Sequence, residues 1–175
     1  MEKNDSFLIR PSTSEDMAAI TEIYGESVLN GLGSFEIKPP DLLEMTARRN
    51  TILEQQLPYI VAEKEGRVVG YAYAGLYRPR PAYRHSVENS VYVSDEAQGL
   101  GIGRALLSQL IDECRTAQKK QMVAVIGDSG NRSSIALHRA HGFRHVGILE
   151  AVGYKHDRWV DTVIMQKNLD IDGDS

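Results

Sequence analysis

The sequence predicts an α/β (α+β) fold: a mixed, mostly antiparallel sheet of about 6–7 strands flanked by about 4 helices. Three observations predict it. Strand-like and helical hydrophobic patterns follow one another along the whole chain. Ile102 to about Ala117 is an amphipathic helix, with Ile102, Ala105, Leu106, Leu110, Ile111 and Cys114 in one stripe. Met122–Ile126 is a continuous apolar run, which suits a central strand covered on both faces.

Each element has a local reason. Phe7–Arg10 reads as an opening strand, broken by Pro11. Thr13 or Ser14 caps the next helix, with Glu15 and Asp16 in its first turn. Ala19, Ile20, Ile23, Tyr24 and Val28 recur at helical spacing to about Leu29, and Gly31-Leu32-Gly33 ends the run. A second helix follows Pro39-Pro40, where Asp41, Glu44 and Arg48-Arg49 order their charges along the dipole. Tyr59–Ala62 and Val68–Leu76 form a hairpin across Glu65-Gly66.

Pro79 and Pro81 interrupt the pattern before Val87–Val93. Alternation there puts Val87, Val91 and Val93 on one face and Glu88, Ser90 and Tyr92 on the other. After the amphipathic helix and the central strand, Asn131 caps a short helix closed by Gly142. Phe143–Val152 and Arg158–Lys167 are two final strands. No repeat or linker divides the chain, so residues 1–169 are expected to be a single domain and the acidic 170–175 a disordered tail.

Composition narrows the function classes. The chain has 175 residues, of which 42% are hydrophobic and 25% charged, and a formal net charge of -4. That balance excludes a broad basic footprint, so no nucleic-acid partner is expected. Cys114 stands alone, which rules out an intrachain disulfide and a multi-cysteine zinc site; no metal is expected. No apolar run with a cleavage site opens the sequence, and no stretch has membrane-spanning length. The expectation is a cytoplasmic protein with no membrane partner. Asn131-Arg132-Ser133 matches a glycosylation sequon, which has no meaning without a secretory signal.

The chemistry concentrates around a glycine-rich turn. Val91-Tyr92-Val93 leads through Gln98-Gly99-Leu100-Gly101-Ile102-Gly103-Arg104 into the amphipathic helix. Strand, glycine turn and helix start make an anion site, because successive backbone N–H groups converge where the helix dipole favours negative charge. The dinucleotide pattern G-x-G-x-x-G fails, since its third glycine would fall at Arg104, and no Gly-Lys-Ser/Thr follows for a P-loop. The turn fits Q-x-x-G-x-G, which resembles the coenzyme A pyrophosphate loop of the GNAT N-acetyltransferase superfamily. Read alone, it is equally an ordinary glycine-rich turn.

Further motifs extend the likeness. Val87-Glu88, Ser90–Ser94, Gln98–Gly103, Val123–Ile126, Ser134–His138, Gly142-Phe143, Val152–His156 and Trp159 resemble the phosphinothricin and methionine sulfoximine acetyltransferase branch. Ile20–Tyr24 and Ser34-Phe35-Glu36 match more loosely, and the resemblance spans about residues 7–169. It implies a GNAT fold, acetyl-CoA as cosubstrate, and a homodimer whose partner loop nears the substrate. One departure stands out: the branch often has glycines between the Lys-His and the Trp, where Asp157-Arg158 intervene here.

Acetyl transfer needs an amine and a thioester held together, a base to make the amine neutral, and stabilisation of the departing thiolate. Glu88 is the candidate base, since a carboxylate partly out of water gains basicity. By itself it also reads as a strand Glu paired with Arg84 or a lysine; the resemblance implies catalysis, through water. The resemblance assigns His138 as the acid that protonates the thiolate, while the residue alone also reads as a helix-face histidine. It places Asn131, Ser133 and Ser134 on the pantetheine arm or adenosine phosphate, positions that capping also explains. Val91, Tyr92 and Val93 would offer backbone groups to the acetyl and pantetheine amides.

Tyr77–Arg84 carries three arginines in a segment stiffened by Pro79 and Pro81. Arginine forks suit carboxylate and phosphinate oxygens, although such loops are also commonly just solvated. The resemblance makes this the acceptor loop, with Arg80 and Tyr83 foremost and Arg78 beside them. Phe35, Tyr92 and Trp159 are candidate pocket walls, although Phe35 and Trp159 read equally as plain core. The expected reaction is direct acetyl transfer, in a ternary complex, to the α-amine of phosphinothricin, methionine sulfoximine or methionine sulfone, with resistance to such compounds as a consequence. A protein N-terminal acetyltransferase and a non-catalytic acyl-CoA sensor are the competing readings.

Overall fold

The computed structural model describes residues 6–170. Its strands are β1 Leu8–Pro11, β2 Tyr59–Lys64, β3 Arg67–Leu76, β4 Ser86–Val93, β5 Gln121–Gly127, β6 Arg144–Lys155 and β7 Arg158–Asn168. The helices are α1 Met17–Asn30, α2 Leu42–Glu54, α3 Ile102–Thr116 and α4 Arg132–Ala140. All strands join one seven-stranded sheet in the order β1-β2-β3-β4-β5-β7-β6. Every pairing is antiparallel except β4 with β5. The predicted mixed, mostly antiparallel sheet is therefore present.

Several element boundaries differ from the sequence reading. β1 includes Pro11, which pairs with Ile60 at the sheet edge instead of breaking the strand, and β2 runs past Ala62 to Lys64. Ser14–Asp16 forms a separate short 3-10 turn before α1. Asp16 is drawn inward there: its carboxylate accepts from the Thr13 amide at 2.7 Å and takes both Arg10 Nη atoms at 2.8 Å. β6 continues past Val152 to Lys155, because bulges between His145 and Gly147 and between Leu149 and Gly153 absorb the irregular stretch. Of the tail, Asp170 pairs with Lys120 at 2.5 Å; the rest of the expected disordered segment lies outside the described residues.

The sheet separates two cores. On one face α3 lays Ile102, Leu106, Leu107, Leu110 and Cys114 against Ala72, Ala74, Val87, Met122 and Ala124. Burial pushes the Cys114 thiol up to about 12, so it stays protonated and inert. On the other face α1 and α2 cover Tyr59, Val61 and Tyr71 with Met17, Ile20, Ile23, Tyr24, Val28 and Met45.

The feature that shapes the functional region is where β4 leaves β5. They pair only through Ser86–Gln121, Val87–Met122 and Glu88–Val123, although β4 runs on to Val93 and β5 to Gly127. Where pairing stops, the Val123 carbonyl accepts instead from the Asn89 side chain, at 3.3 Å. Beyond that point the strands diverge into a wedge.

Candidate active site

The wedge opens into a cleft of about 670 Å³. Its walls are the free ends of β4 and β5, α4 and the start of α3, and the last turns of α1 with Gly31, Leu32, Gly33 and Phe35 after it. Three features inside bear on chemistry: a carboxylate, a helix start and a histidine.

Glu88 projects from β4 beside the last paired rung and lines the cleft. Burial raises its pKa above the ordinary carboxylate value, and the nearby Arg78 charge partly offsets this. Along the same face of β4, Ser90 is hydrogen-bonded to Tyr73, whose phenol burial holds well protonated.

The turn before α3 is built by its glycines. Gly99 at φ 77° and Gly101 at φ 80° adopt the left-handed conformation that side chains resist. Gly101 is the N-cap of α3, and the first N–H groups of the helix have no partner within it. Gln98 and Gly103 line the cleft directly, as do Val91, Tyr92 and Val93. Leu100 and Arg104 are more exposed around the helix start, and Ile102 is buried beneath it.

On α4, Asn131 caps the helix by accepting from the Ser134 amide at 3.2 Å, and Ser133 Oγ donates to the same oxygen at 3.2 Å. All three residues also line the cleft, so capping and wall coexist in the same side chains. His138 is 4% exposed. Its Nδ1 donates to the Ser134 carbonyl at 2.8 Å, and its Nε2 faces Asn89 Oδ1 at 3.0 Å. Burial lowers its pKa, opposed by the Ser134 hydrogen bond. Phe143 packs edge-on against the ring at 5.0 Å.

The predicted acceptor residues divide. Phe35 and Tyr92 line the cleft with Glu88. Arg78, Arg80, Tyr83 and Trp159 do not, among the described residues, and all four are exposed. Arg78 lies 4.9 Å over the Tyr77 ring, which Tyr83 meets edge-on at 5.7 Å. That packing makes a compact loop whose Arg78 charge still reaches Glu88. Trp159 packs edge-on to Tyr154 at 5.0 Å on the outer hairpin.

Two features escaped sequence reading. Asn89 is one; its signal was a polar residue on the valine face of β4. The other is a tyrosine stack behind the cleft, where Tyr59–Tyr73 and Tyr71–Tyr92 centroids lie 5.0 and 5.2 Å apart. Tyr24 meets Tyr92 edge-on at 5.1 Å. The period-two spacing of Tyr71 and Tyr73 was its only sequence trace.

With this geometry in view, comparison with known proteins is specific. The profile of the Acetyltransferase (GNAT) family matches residues 18–143. A phosphinothricin N-acetyltransferase from Alcaligenes faecalis is 49% identical over 92% of this chain and 82% of its own length. An L-methionine sulfoximine/L-methionine sulfone acetyltransferase from Pseudomonas aeruginosa is 41% identical over 93% of this chain and 94% of its own. The crystal structure of a Sinorhizobium meliloti phosphinothricin acetyltransferase in complex with AcCoA superposes with a TM-score of 0.90. It shares 50% identity and covers 93% of this chain and 88% of that one. The cleft, its glycine turn and the strands that splay around it thus occur in a chain that belongs to the GNAT family of N-acetyltransferases.

Proposed function

We propose that this enzyme moves the acetyl group of acetyl-CoA onto the α-amine of a small acidic amino-acid analogue, of the phosphinothricin, methionine sulfoximine or methionine sulfone type. The observation that carries the reading is Glu88: a half-buried carboxylate of raised pKa in a cleft that also contains the open N-terminus of α3.

The residues present fit acetyl-CoA. The N–H groups from Leu100 to Arg104 suit a pyrophosphate, because the two left-handed glycines leave that backbone uncovered. Asn131, Ser133 and Ser134 offer polar groups to the pantetheine arm or the adenosine phosphate. The backbone of Val91, Tyr92 and Val93 has no β5 partner beside the cleft and is available to the acetyl and pantetheine amides.

In the proposed reaction both substrates bind before chemistry. Glu88 takes a proton from the acceptor ammonium, through water. The neutral amine attacks the thioester carbon, a C–N bond forms, the C–S bond breaks, and the second proton of the nitrogen passes to solvent water. The thiolate leaves with a proton from His138. Acceptor oxygens around the ring suit the imidazolium, while burial makes it release its proton more easily. Arg78, Arg80 and Tyr83 would meet the acid groups of the acceptor at the mouth of the site.

A homodimer is part of the proposal. β6 is an edge strand that exposes Val146, Ile148, Leu149 and Val152, next to Tyr154 and Trp159. An apolar edge of that kind is normally covered, and a second copy would bring Trp159 into a buried setting. The proposed compartment is the cytoplasm; among the described residues no helix is long and apolar enough to cross a membrane.

The test follows release of free CoA from acetyl-CoA with each of the three acceptors. Turnover is expected with at least one of them. Glu88→Gln should lower kcat by about 10³-fold while acetyl-CoA binding persists. Undiminished turnover in that variant would remove Glu88 from the mechanism, and acetyl-CoA binding with no turnover of any acceptor would favour an acyl-CoA sensor.

A further inference from the structure

The run Gly153-Tyr154-Lys155 has no part in the chemistry above, yet it meets the segment that walls the cleft. The β6 bulge prepares this meeting. Leu149 pairs with Thr162 and Gly153 with Val160, so extra β6 residues are accommodated between them, with Ala151 at φ 51°. The Ala151 amide is held by Asp161 Oδ1 at 2.9 Å. After the bulge, Gly153 and Lys155 alternate onto one face of the strand.

Both residues touch the loop between α1 and α2. A Cβ on Gly153 would fall 2.4 Å from Phe35 Cε1 and 2.7 Å from Cδ1. Gly153 has no left-handed φ, so space and not backbone conformation demands glycine there. Lys155 is 3% exposed, and its Nζ donates to the Ser34 carbonyl at 2.7 Å. The other side of Phe35 is fixed as well. Glu36 receives two hydrogen bonds from Arg48 of α2, at 2.8 and 3.0 Å, and one from the Tyr24 hydroxyl of α1. Ser34 Oγ joins the Tyr24 hydroxyl at 2.9 Å and accepts from the Glu36 amide at 3.2 Å. Phe35 lines the cleft between these two clamps.

We propose that Gly153 and Lys155 are positioning residues that seat Phe35 as a fixed wall of the acceptor site, so that β6 sets how tightly the acceptor is held. The proposal rests on the acetyl-transfer reading. Its physical basis is that an irregular loop keeps one geometry only when several elements over-determine it, and here α1, α2 and β6 each supply an anchor. None of these anchors involves Gly99–Arg104 or α4, so the proposed acetyl-CoA side is left alone.

The test compares Gly153→Ala, Lys155→Met, Phe35→Ala and the Lys155→Met/Phe35→Ala double variant in the full chain. Steady-state kinetics vary the acceptor and acetyl-CoA separately, and amide hydrogen exchange follows residues 34–36. Each single variant is expected to raise the acceptor KM about tenfold. The acetyl-CoA KM and kcat should stay within about twofold. The double variant should be no worse than Phe35→Ala, since both changes remove the same wall. Exchange at residues 34–36 should quicken in Lys155→Met. Additive losses, equal rises in both KM values, or unchanged exchange would overturn the proposal. If Gly153→Ala does not fold, Lys155→Met decides alone. Wild-type chain that turns over no acceptor would overturn the acetyl-transfer reading instead, and the exchange measurement would still decide whether Lys155 anchors the loop.

Discussion

On the face under α3 the sheet presents alanine, valine and methionine to a row of leucines. On the face under α1 and α2 it presents tyrosines, a carboxylate and the ion-paired loop ends. The aliphatic face has little polar chemistry to satisfy, so it can be packed for stability alone. The tyrosine face is harder to satisfy: the buried Tyr71 hydroxyl has no hydrogen-bond partner among the described residues, and burial raises the pKa of Tyr71 and Tyr92 well above the usual value. Tyr24 is pushed up to about 12. Glu88 sits at the margin of this second face, where partial desolvation has a chemical use. The contrast suggests that one strand, β4, serves both tasks through its alternation: Val87 toward the leucines, Glu88 toward the tyrosines.

The strongest test of this division is Leu106→Ala. Leu106 is wholly buried under the sheet, and its loss should cost about 3–4 kcal/mol in urea unfolding, with activity per folded molecule unchanged. A large fall in kcat in the folded fraction would break the separation of the faces. Next comes Asp16→Ala, which leaves the Arg10 guanidinium without its main buried partner. Arg10 is partly exposed and keeps its bond to Glu63, so the loss should be about 1–2 kcal/mol at neutral pH. The Arg10 hydrogen bond, foremost, holds the Asp16 pKa below its unfolded value. Its stabilisation is therefore present above the unfolded carboxylate pKa and is lost as pH falls through the folded one. Unfolding of the variant should show a shallower acid-side decline than wild type, and an identical decline would assign acid lability elsewhere.

Arg78→Ala is a finer probe. Burial raises the Glu88 pKa and the Arg78 charge opposes it, so removing that charge should raise it further. The base is then protonated at higher pH, and the acid limb of kcat/KM should move toward alkaline pH. A limb that stays put, or moves toward acid, would uncouple the exposed loop from the cleft. The smallest effect is expected outside both faces. His156 and Asp157 turn the β6–β7 hairpin with φ of 51° and 57°, the left-handed pair of a two-residue turn. Asp157→Gly should raise stability by about 0.5 kcal/mol, with no change in turnover. Any kinetic effect would tie the hairpin tip to the acceptor site.

Legibility followed the range of the interactions. The helices and strands were readable because periodicity, caps and turn residues act over a few neighbours: Ile102–Thr116, Asn131 and the hairpin at Glu65-Gly66 all fall where the pattern puts them. The glycine turn was readable for the same reason, since left-handed backbone at Gly99 and Gly101 is a local demand. Asn89 was not. On the strand pattern it is one polar intrusion among valines, and its partners are the Val123 carbonyl and His138, each more than thirty residues away. The bulged course of β6 was equally hidden. Nothing adjacent in sequence to Ala151 announces Asp161 as its acceptor.

The sequence by itself determined the element order, the two alternating faces of β4 and the anion-binding turn, because each depends on spacing within one segment. Only the tertiary structure decided where β4 and β5 part, how His138 is held, and that Phe35 rests on Gly153 beside the Lys155–Ser34 hydrogen bond. Those outcomes depend on which distant segments the packed core brings within hydrogen-bonding range, and periodicity along one segment carries no record of them.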